Sequence, residues 1–237
     1  MFLRSVSFNF EKLDSRIYLS HLPFIDITSI SFSKNIIFLT GDNGVGKSTL
    51  LESLAYDFNI NLEGGSSNFI LDKNKVPALH PFIKVQKLDA PFGFFFRSDT
   101  FFDIETILDE YGEDLKFQYN GGEKSFSKQS HGEGFMNFFR NRIDRQGIYF
   151  FDEPENALSF DNQVLFLFLL KEFERRGSQV IMITHSPILL SYPGAQIINI
   201  TKEGIEDLKY EETSHFNNYR DFFENYRRYQ KQIEDFD

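Results

Sequence analysis

The segment Gly41-Asp42-Asn43-Gly44-Val45-Gly46-Lys47-Ser48 constrains this chain more than any other. It follows the apolar run Ile36-Ile37-Phe38-Leu39 and precedes apolar residues at helical spacing as far as Phe58. The predicted order is a buried strand, a tight loop and a helix. The spacing G-x-x-x-x-G-K-[ST] is the one a phosphate cradle needs. Glycine allows a loop to curl until successive backbone N–H groups point inward, with no Cβ in the way. The helix that starts there adds its positive end. Asn43, Gly44 and Gly46 would line such a cradle, and Lys47 would reach the β- and γ-phosphates of ATP. The Ser48 hydroxyl would ligate the accompanying Mg2+, and Thr49 would meet the α-phosphate.

A second segment supplies the matching acids. Ile148-Tyr149-Phe150-Phe151 is apolar on both faces, as a strand inside a parallel sheet must be, and it ends in Asp152-Glu153-Pro154. The C-terminal rim of such a sheet is where ligands bind. There Asp152 is expected to hold the metal, and Glu153 to orient and deprotonate the attacking water. Acids after a strand are common in isolation; the pairing with the Gly41–Ser48 loop gives them chemical meaning.

Composition sets the outer limits. A chain of 237 residues can bury a full core and is read as one domain, with residues 81–145 as a small subregion inserted before the acidic strand. Cysteine is absent, which excludes a disulfide framework, a thiolate metal site and a cysteine nucleophile. The longest apolar run, Val164 to Leu170, is far short of the roughly 20 residues that span a bilayer. Met1 to Phe10 alternates apolar and polar residues, unlike a secretory leader. No integral membrane segment and a cytoplasmic location are therefore expected. The net charge of −10 argues against a general nucleic-acid sleeve. The 30 phenylalanines are read as core filler rather than as a base-stacking surface.

Phe2 to Phe10 and Ile17 to Leu22 are expected to form two strands of a separate antiparallel layer. Residues 59–80 read as a loop, and a strand is expected around Gly93 to Phe96. Helices are expected over Thr100 to Tyr111, Gly134 to Arg142 and Gln163 to Arg176, the last stopped by Gly177. Further strands are expected at Gln179 to Thr184 and Gln196 to Thr201, with one or two helices from Asn217 onward. Strands alternating with helices predict an α/β fold around a mostly parallel sheet.

Three more segments give the chain a family resemblance. Ser130-His131-Gly132-Glu133-Gly134 resembles the ABC signature motif in its S-x-G-E form. Asp152-Glu153-Pro154-Glu155-Asn156-Ala157-Leu158-Ser159 resembles the Walker B motif and D-loop of the same superfamily, and Thr184-His185-Ser186-Pro187 its switch histidine. As a set, the chain resembles the compact ABC-type ATPases of the AAA-21-like group, related to the heads of SMC, Rad50 and RecF proteins. Gly93-Phe94-Phe95-Phe96-Arg97-Ser98-Asp99 and the residues after Ser186 share the likeness.

The resemblance implies a P-loop ABC-ATPase head that binds Mg-ATP between two copies placed head to tail. Ser130, Gly132 and Glu133 of one copy would then meet the γ-phosphate held by the other, on a small helical insertion. His185 would contact that phosphate within its own copy and report its loss on hydrolysis. The sequence departs from the common pattern at His131 and Glu133, and at Ser159, where many members carry an aspartate. The Q-loop position stays open among Gln86, Arg97 and Asp99. The implied function is ATP hydrolysis by a nucleotide-sandwiched homodimer coupled to a protein or nucleic-acid partner, in DNA repair or phage defence. The alternatives are an ATP-gated dimerisation switch with little turnover and the ATPase subunit of a membrane transporter.

Overall fold

The computed structural model describes residues 1–11, 18–62, 65–66, 76–97 and 145–236. The helices expected at Thr100 to Tyr111 and Gly134 to Arg142 lie outside these residues; of the subregion expected over residues 81–145, residues 98–144 lie outside, and Ile83–Lys87 and Gly93–Arg97 are strands.

β3 (Ile36–Gly41), β6 (Gly93–Arg97), β7 (Ile148–Asp152), β8 (Gln179–Ile183) and β9 (Gln196–Thr201) form the parallel heart of a seven-stranded sheet. Its order is β10-β9-β3-β8-β7-β6-β4, with β10 (Gly204–Leu208) and β4 (Gly65–Ser66) as antiparallel edges. A central strand of this kind must be apolar on both faces. In β3, Ile37 and Leu39 enter one core while Ile36 and Phe38 enter the other.

Helix α1 (Lys47–Asp57) buries Leu50, Leu51, Leu54 and Ala55 on the first face. Helix α2 (Phe160–Arg175) and the short α3 (Pro187–Leu190) cover the second. Phe38, Phe95, Phe150, Phe151, Phe166 and Phe173 are fully buried core residues, whereas Phe160 and Phe168 on α2 are exposed. The Ser159 hydroxyl caps α2 by accepting from the Asn162 N–H, so the helix begins at Phe160, one turn before the hydrophobic periodicity alone suggests.

A second, antiparallel sheet has the order β2-β1-β5, with β1 (Leu3–Phe8), β2 (Ser29–Ser31) and β5 (Ile83–Lys87). The expectation of a strand at Ile17 to Leu22 is corrected, since Tyr18–His21 and Pro23–Asp26 form two 3-10 turns. Pro23 has no N–H to give a ladder, and Leu19, Leu22 and Phe24 are buried instead of alternating. These turns pack against the phosphate loop: a Cβ on Gly46 would meet Leu22 and Phe24 at 3.0–3.1 Å.

Two buried glutamines join the sheets. Gln179, at the start of β8, accepts from the Phe2 and Leu3 N–H groups at 2.8 and 2.7 Å and donates to the Leu3 carbonyl at 2.9 Å. Gln196, at the start of β9, donates to the Ser31 carbonyl and accepts from the Ser33 N–H. Helix α4 (Ser214–Glu234) follows, capped by Thr213 and interrupted by non-helical backbone at Asn225. Among the described residues no helix is long and apolar enough to cross a membrane.

Candidate nucleotide site

β3 delivers the chain into the glycine-rich loop at the C-terminal rim of the sheet. Gly41, Gly44 and Gly46 all have positive φ (117°, 76° and 90°). Gly41 is irreplaceable on space as well, because a Cβ there would lie 2.0 Å from the Ile200 carbonyl oxygen of β9. Asn43 and Gly44 are exposed at the loop's crest. α1 starts at Lys47, directly after the left-handed Gly46. Its first N–H groups lack partners within the helix and therefore face the loop's hollow.

Lys47 is 7% exposed, and its Nζ donates to the Gly41 and Asp42 carbonyls at 3.1 and 2.5 Å. Burial lowers its pKa, while Glu153, Asp42 and Asp152 oppose that shift. The ammonium is thus anchored across the loop with acids on its far side. Thr49 follows on α1, half-buried, with its carbonyl accepting from Ser53.

The two metal-ligand candidates meet. Ser48 Oγ donates to Asp152 Oδ1 at 3.4 Å. Burial raises the Asp152 pKa to about 6; Arg97 pulls it down, and Glu153 and Glu52 push it up. A half-buried carboxylate beside a hydroxyl, on the rim that faces the phosphate loop, fits a hard divalent cation. Mg2+ characteristically takes one or two protein oxygens and completes its shell with phosphate and water. No group of three His, Cys, Asp or Glu side chains placed to hold a metal ion occurs among the described residues.

Glu153 is held in an unusual backbone. Its φ of 49° and ψ of 57° place a non-glycine residue in the left-handed region, a strained state that tends to mark functional positions. The turn aims the side chain off the sheet rim. Glu153 Oε2 accepts from Asn156 Nδ2 at 3.0 Å, and Oε1 lies 3.7 Å from His185 Nε2.

His185 follows β8, and its backbone N–H donates to Glu155 Oε1 at 2.6 Å. Its ring Nδ1 lies 2.9 Å from Nε2 of His215, on the first turn of α4. Burial, then the nearby Lys47, holds the His185 pKa below its ordinary value, partly offset by Glu153.

Lys47, Ser48, Asp152, Glu153 and His185 are therefore brought to one rim. Ser130, Gly132 and Glu133 lie outside the described residues. Of the Q-loop candidates, Arg97 is the register neighbour of Asp152 and pairs with Glu52 at 2.7 Å. Gln86 lies on β5 in the other sheet, accepting from Ser5, and Asp99 falls outside the described residues.

Glu155 and His215 carry no obvious sequence signal as site residues. Glu155 is a buried carboxylate whose Oε2 has no hydrogen-bond partner and whose pKa is raised by burial. A cleft of about 750 Å3 opens beside them, between α2, α3 and α4. Val164, Leu167, Phe216 and Phe223 make it largely apolar, and none of the phosphate-loop residues lines it. It shares Glu153 and His185 with the rim and does not include the glycine-rich loop.

Comparison with known proteins bears on the fold. Residues 134–191, the stretch that holds Asp152, Glu153 and His185, match the AAA_21 family, described as "AAA domain, putative AbiEii toxin, Type IV TA system". No curated protein sequence matches the chain significantly. Among solved structures, cbiO1 from Clostridium perfringens, part of the ABC transporter complex cbiONQ, is similar with a TM-score of 0.53 at 14% identity, over 99% of this chain and 100% of that one. A structure described as "an inward-facing conformation of a putative metal-chelate type ABC transporter" also aligns at 0.53, with 17% identity over 91% of this chain and 88% of the other. The SMC head domain from Thermotoga maritima aligns at 0.47, with 16% identity over 88% and 99%. The chain thus shares the fold of these ABC transporter ATPase structures, and its residues 134–191 resemble the AAA_21 family.

Proposed function

We propose that the chain hydrolyses Mg-ATP to ADP and phosphate as a head-to-tail homodimer, with two ATP molecules enclosed between the copies. The observation that carries this reading is the convergence at one rim of Ser48 with Asp152 (3.4 Å) and of Glu153 with His185 (3.7 Å), beside Lys47. The positive-φ loop and the start of α1 would wrap the phosphates, and Lys47 would release its own loop carbonyls to bind the β- and γ-oxygens. Ser48 and Asp152 would hold Mg2+, whose charge would offset that developing on the phosphate oxygens. Glu153 would align a water with the γ-phosphorus and accept its proton as the new P–O bond forms and the β–γ bridge breaks. His185 Nε2 would donate to the γ-phosphate. Ser130, Gly132 and Glu133 of the second copy would close the site.

The biological setting we favour is phage defence, which the toxin–antitoxin wording of the matched family supports over DNA repair. The test of the dimer reading is gel filtration of Glu153→Gln with and without Mg-ATP. The variant should run as a stable dimer only with nucleotide, while wild type returns to monomer as ATP is consumed. A variant that stays monomeric with saturating ATP contradicts the sandwich.

A further inference from the structure

The switch histidine does not stand alone. Thr40 Oγ1 lies 3.3 Å from His215 Nδ1, His215 Nε2 lies 2.9 Å from His185 Nδ1, and His185 Nε2 lies 3.7 Å from Glu153 Oε1. This line begins at Thr40, the residue before Gly41 of the phosphate loop. It crosses the first turn of α4 and ends at the catalytic candidate Glu153. It joins four segments that are far apart in sequence.

Both rings are half-buried and favour the neutral form. Burial depresses each pKa, Lys47 adds to both, and His185 adds to the effect on His215. The N-terminal end of α4 disfavours a positive charge on His215 further. Between two neutral imidazoles at 2.9 Å there is a single proton, and it can sit on either ring.

The two arrangements differ at the far end. If His215 Nε2 carries the shared proton, His185 Nδ1 accepts it and His185 Nε2 bears N–H, aimed at the Glu153 carboxylate. Thr40 then donates to His215 Nδ1, and the His185 N–H faces an opposite charge, the Glu153 carboxylate 3.7 Å away. In the reverse arrangement His185 Nε2 is a lone pair facing a carboxylate oxygen. That nitrogen is buried with no hydrogen-bond partner, so the repulsion would not be relieved.

We propose that His215 is a positioning residue: its Nε2–H, with Nδ1 accepting from Thr40, locks His185 as the Nε2–H tautomer that faces Glu153 and can donate to the γ-phosphate. The proposal rests on the ATPase reading for the role of that donor, but not for the tautomer itself. It also makes the first turn of α4 part of the nucleotide-sensing apparatus.

The experiment compares wild type with His215→Phe, which keeps a ring but no nitrogens, and His215→Gln, whose amide can donate from nearly the same place. Thr40→Val, a milder change, covers the case in which His215→Phe fails to fold. Nitrogen-15 NMR of the imidazoles at neutral pH reads the His185 tautomer, with His185→Gln assigning the signal. Phosphate release gives kcat and KM. Wild type should show His185 as Nε2–H, and both His215→Phe and Thr40→Val should show a mixture. His215→Phe should lose about tenfold in kcat with KM for ATP changed by less than about twofold, and His215→Gln should recover most of that loss. A His185 that stays Nε2–H in His215→Phe and Thr40→Val overturns the proposal, as does a His215→Gln no better than His215→Phe. If wild type shows no turnover but the tautomer shifts as described, the hydrolysis reading fails and the positioning role stands.

Discussion

Ser48 and Asp152, 104 residues apart in sequence, share a hydrogen bond of 3.4 Å at the C-terminal rim of the central sheet. The first lies in the first turn of α1 and the second closes β7, two strands away from β3. A hydroxyl and a half-buried carboxylate so placed resemble two corners of a divalent-cation site. Without a cation, the carboxylate carries an energetic penalty.

That penalty is testable. The Asp152 pKa is raised from 3.8 to about 6 in the folded protein, chiefly by burial. An acid with a raised folded pKa destabilises the fold as pH climbs from the unfolded value through the folded one, and the full cost is present above that window. Asp152→Asn removes the charge and keeps the shape. It should stabilise the nucleotide-free protein by about 2–3 kcal/mol near pH 7.5 in urea unfolding, with a smaller gain near pH 5.5. The same variant should lose Mg2+-dependent enhancement of ATP binding. A loss of stability at neutral pH would show that the carboxylate is already well compensated.

Glu155 allows a parallel comparison of two variants. Its Oε1 accepts from the His185 N–H at 2.6 Å, and its Oε2 is buried without a partner. Glu155→Gln keeps an acceptor and removes a buried charge whose pKa is already raised, so thermal stability at neutral pH should be equal or higher. Glu155→Ala orphans the N–H and should cost about 1–3 kcal/mol, with a lower kcat because His185 loses its backbone anchor. Differential scanning calorimetry with a phosphate-release assay checks both. Equal stability of the two variants would contradict the assignment.

The joint between the two sheets should be brittle. Gln179→Ala leaves the Phe2 and Leu3 N–H groups and the Leu3 carbonyl without their buried partner. A loss of about 2–4 kcal/mol is expected, with hydrogen exchange accelerated first in β1. A variant with wild-type stability would mean that water replaces the amide there.

Much of the architecture could be read in the sequence because its signals are local. A buried parallel strand announces itself as an unbroken apolar run, as β3, β7 and β8 do, and β9 is interrupted only at Asn199. The Gly41–Ser48 loop encodes its own backbone through three positive-φ glycines. The segments that escaped or misled are those decided by distant partners. Leu19 and Leu22 read as strand residues, yet they are buried in 3-10 turns that pack against the phosphate loop. The edge strand β10 carries Glu206 and Asp207 and lacks a hydrophobic signature; pairing with β9 makes it a strand. His215 gave no sign as a site residue, since only the docking of α4 brings it to 2.9 Å from His185. Glu155 was hidden in plain view inside its motif, where its use depends on the N–H of a residue from the next strand's end.

Hydrolysis at Glu153 is the claim on which the functional account turns. The most direct test is steady-state phosphate release by wild type and Glu153→Gln, with ATP affinity measured by calorimetry on the same preparations. The account predicts turnover by wild type, a fall of about a hundredfold or more in Glu153→Gln, and ATP affinity preserved within a few-fold in the variant. Equal turnover in both proteins, or no adenine-nucleotide binding by folded wild type, would contradict it.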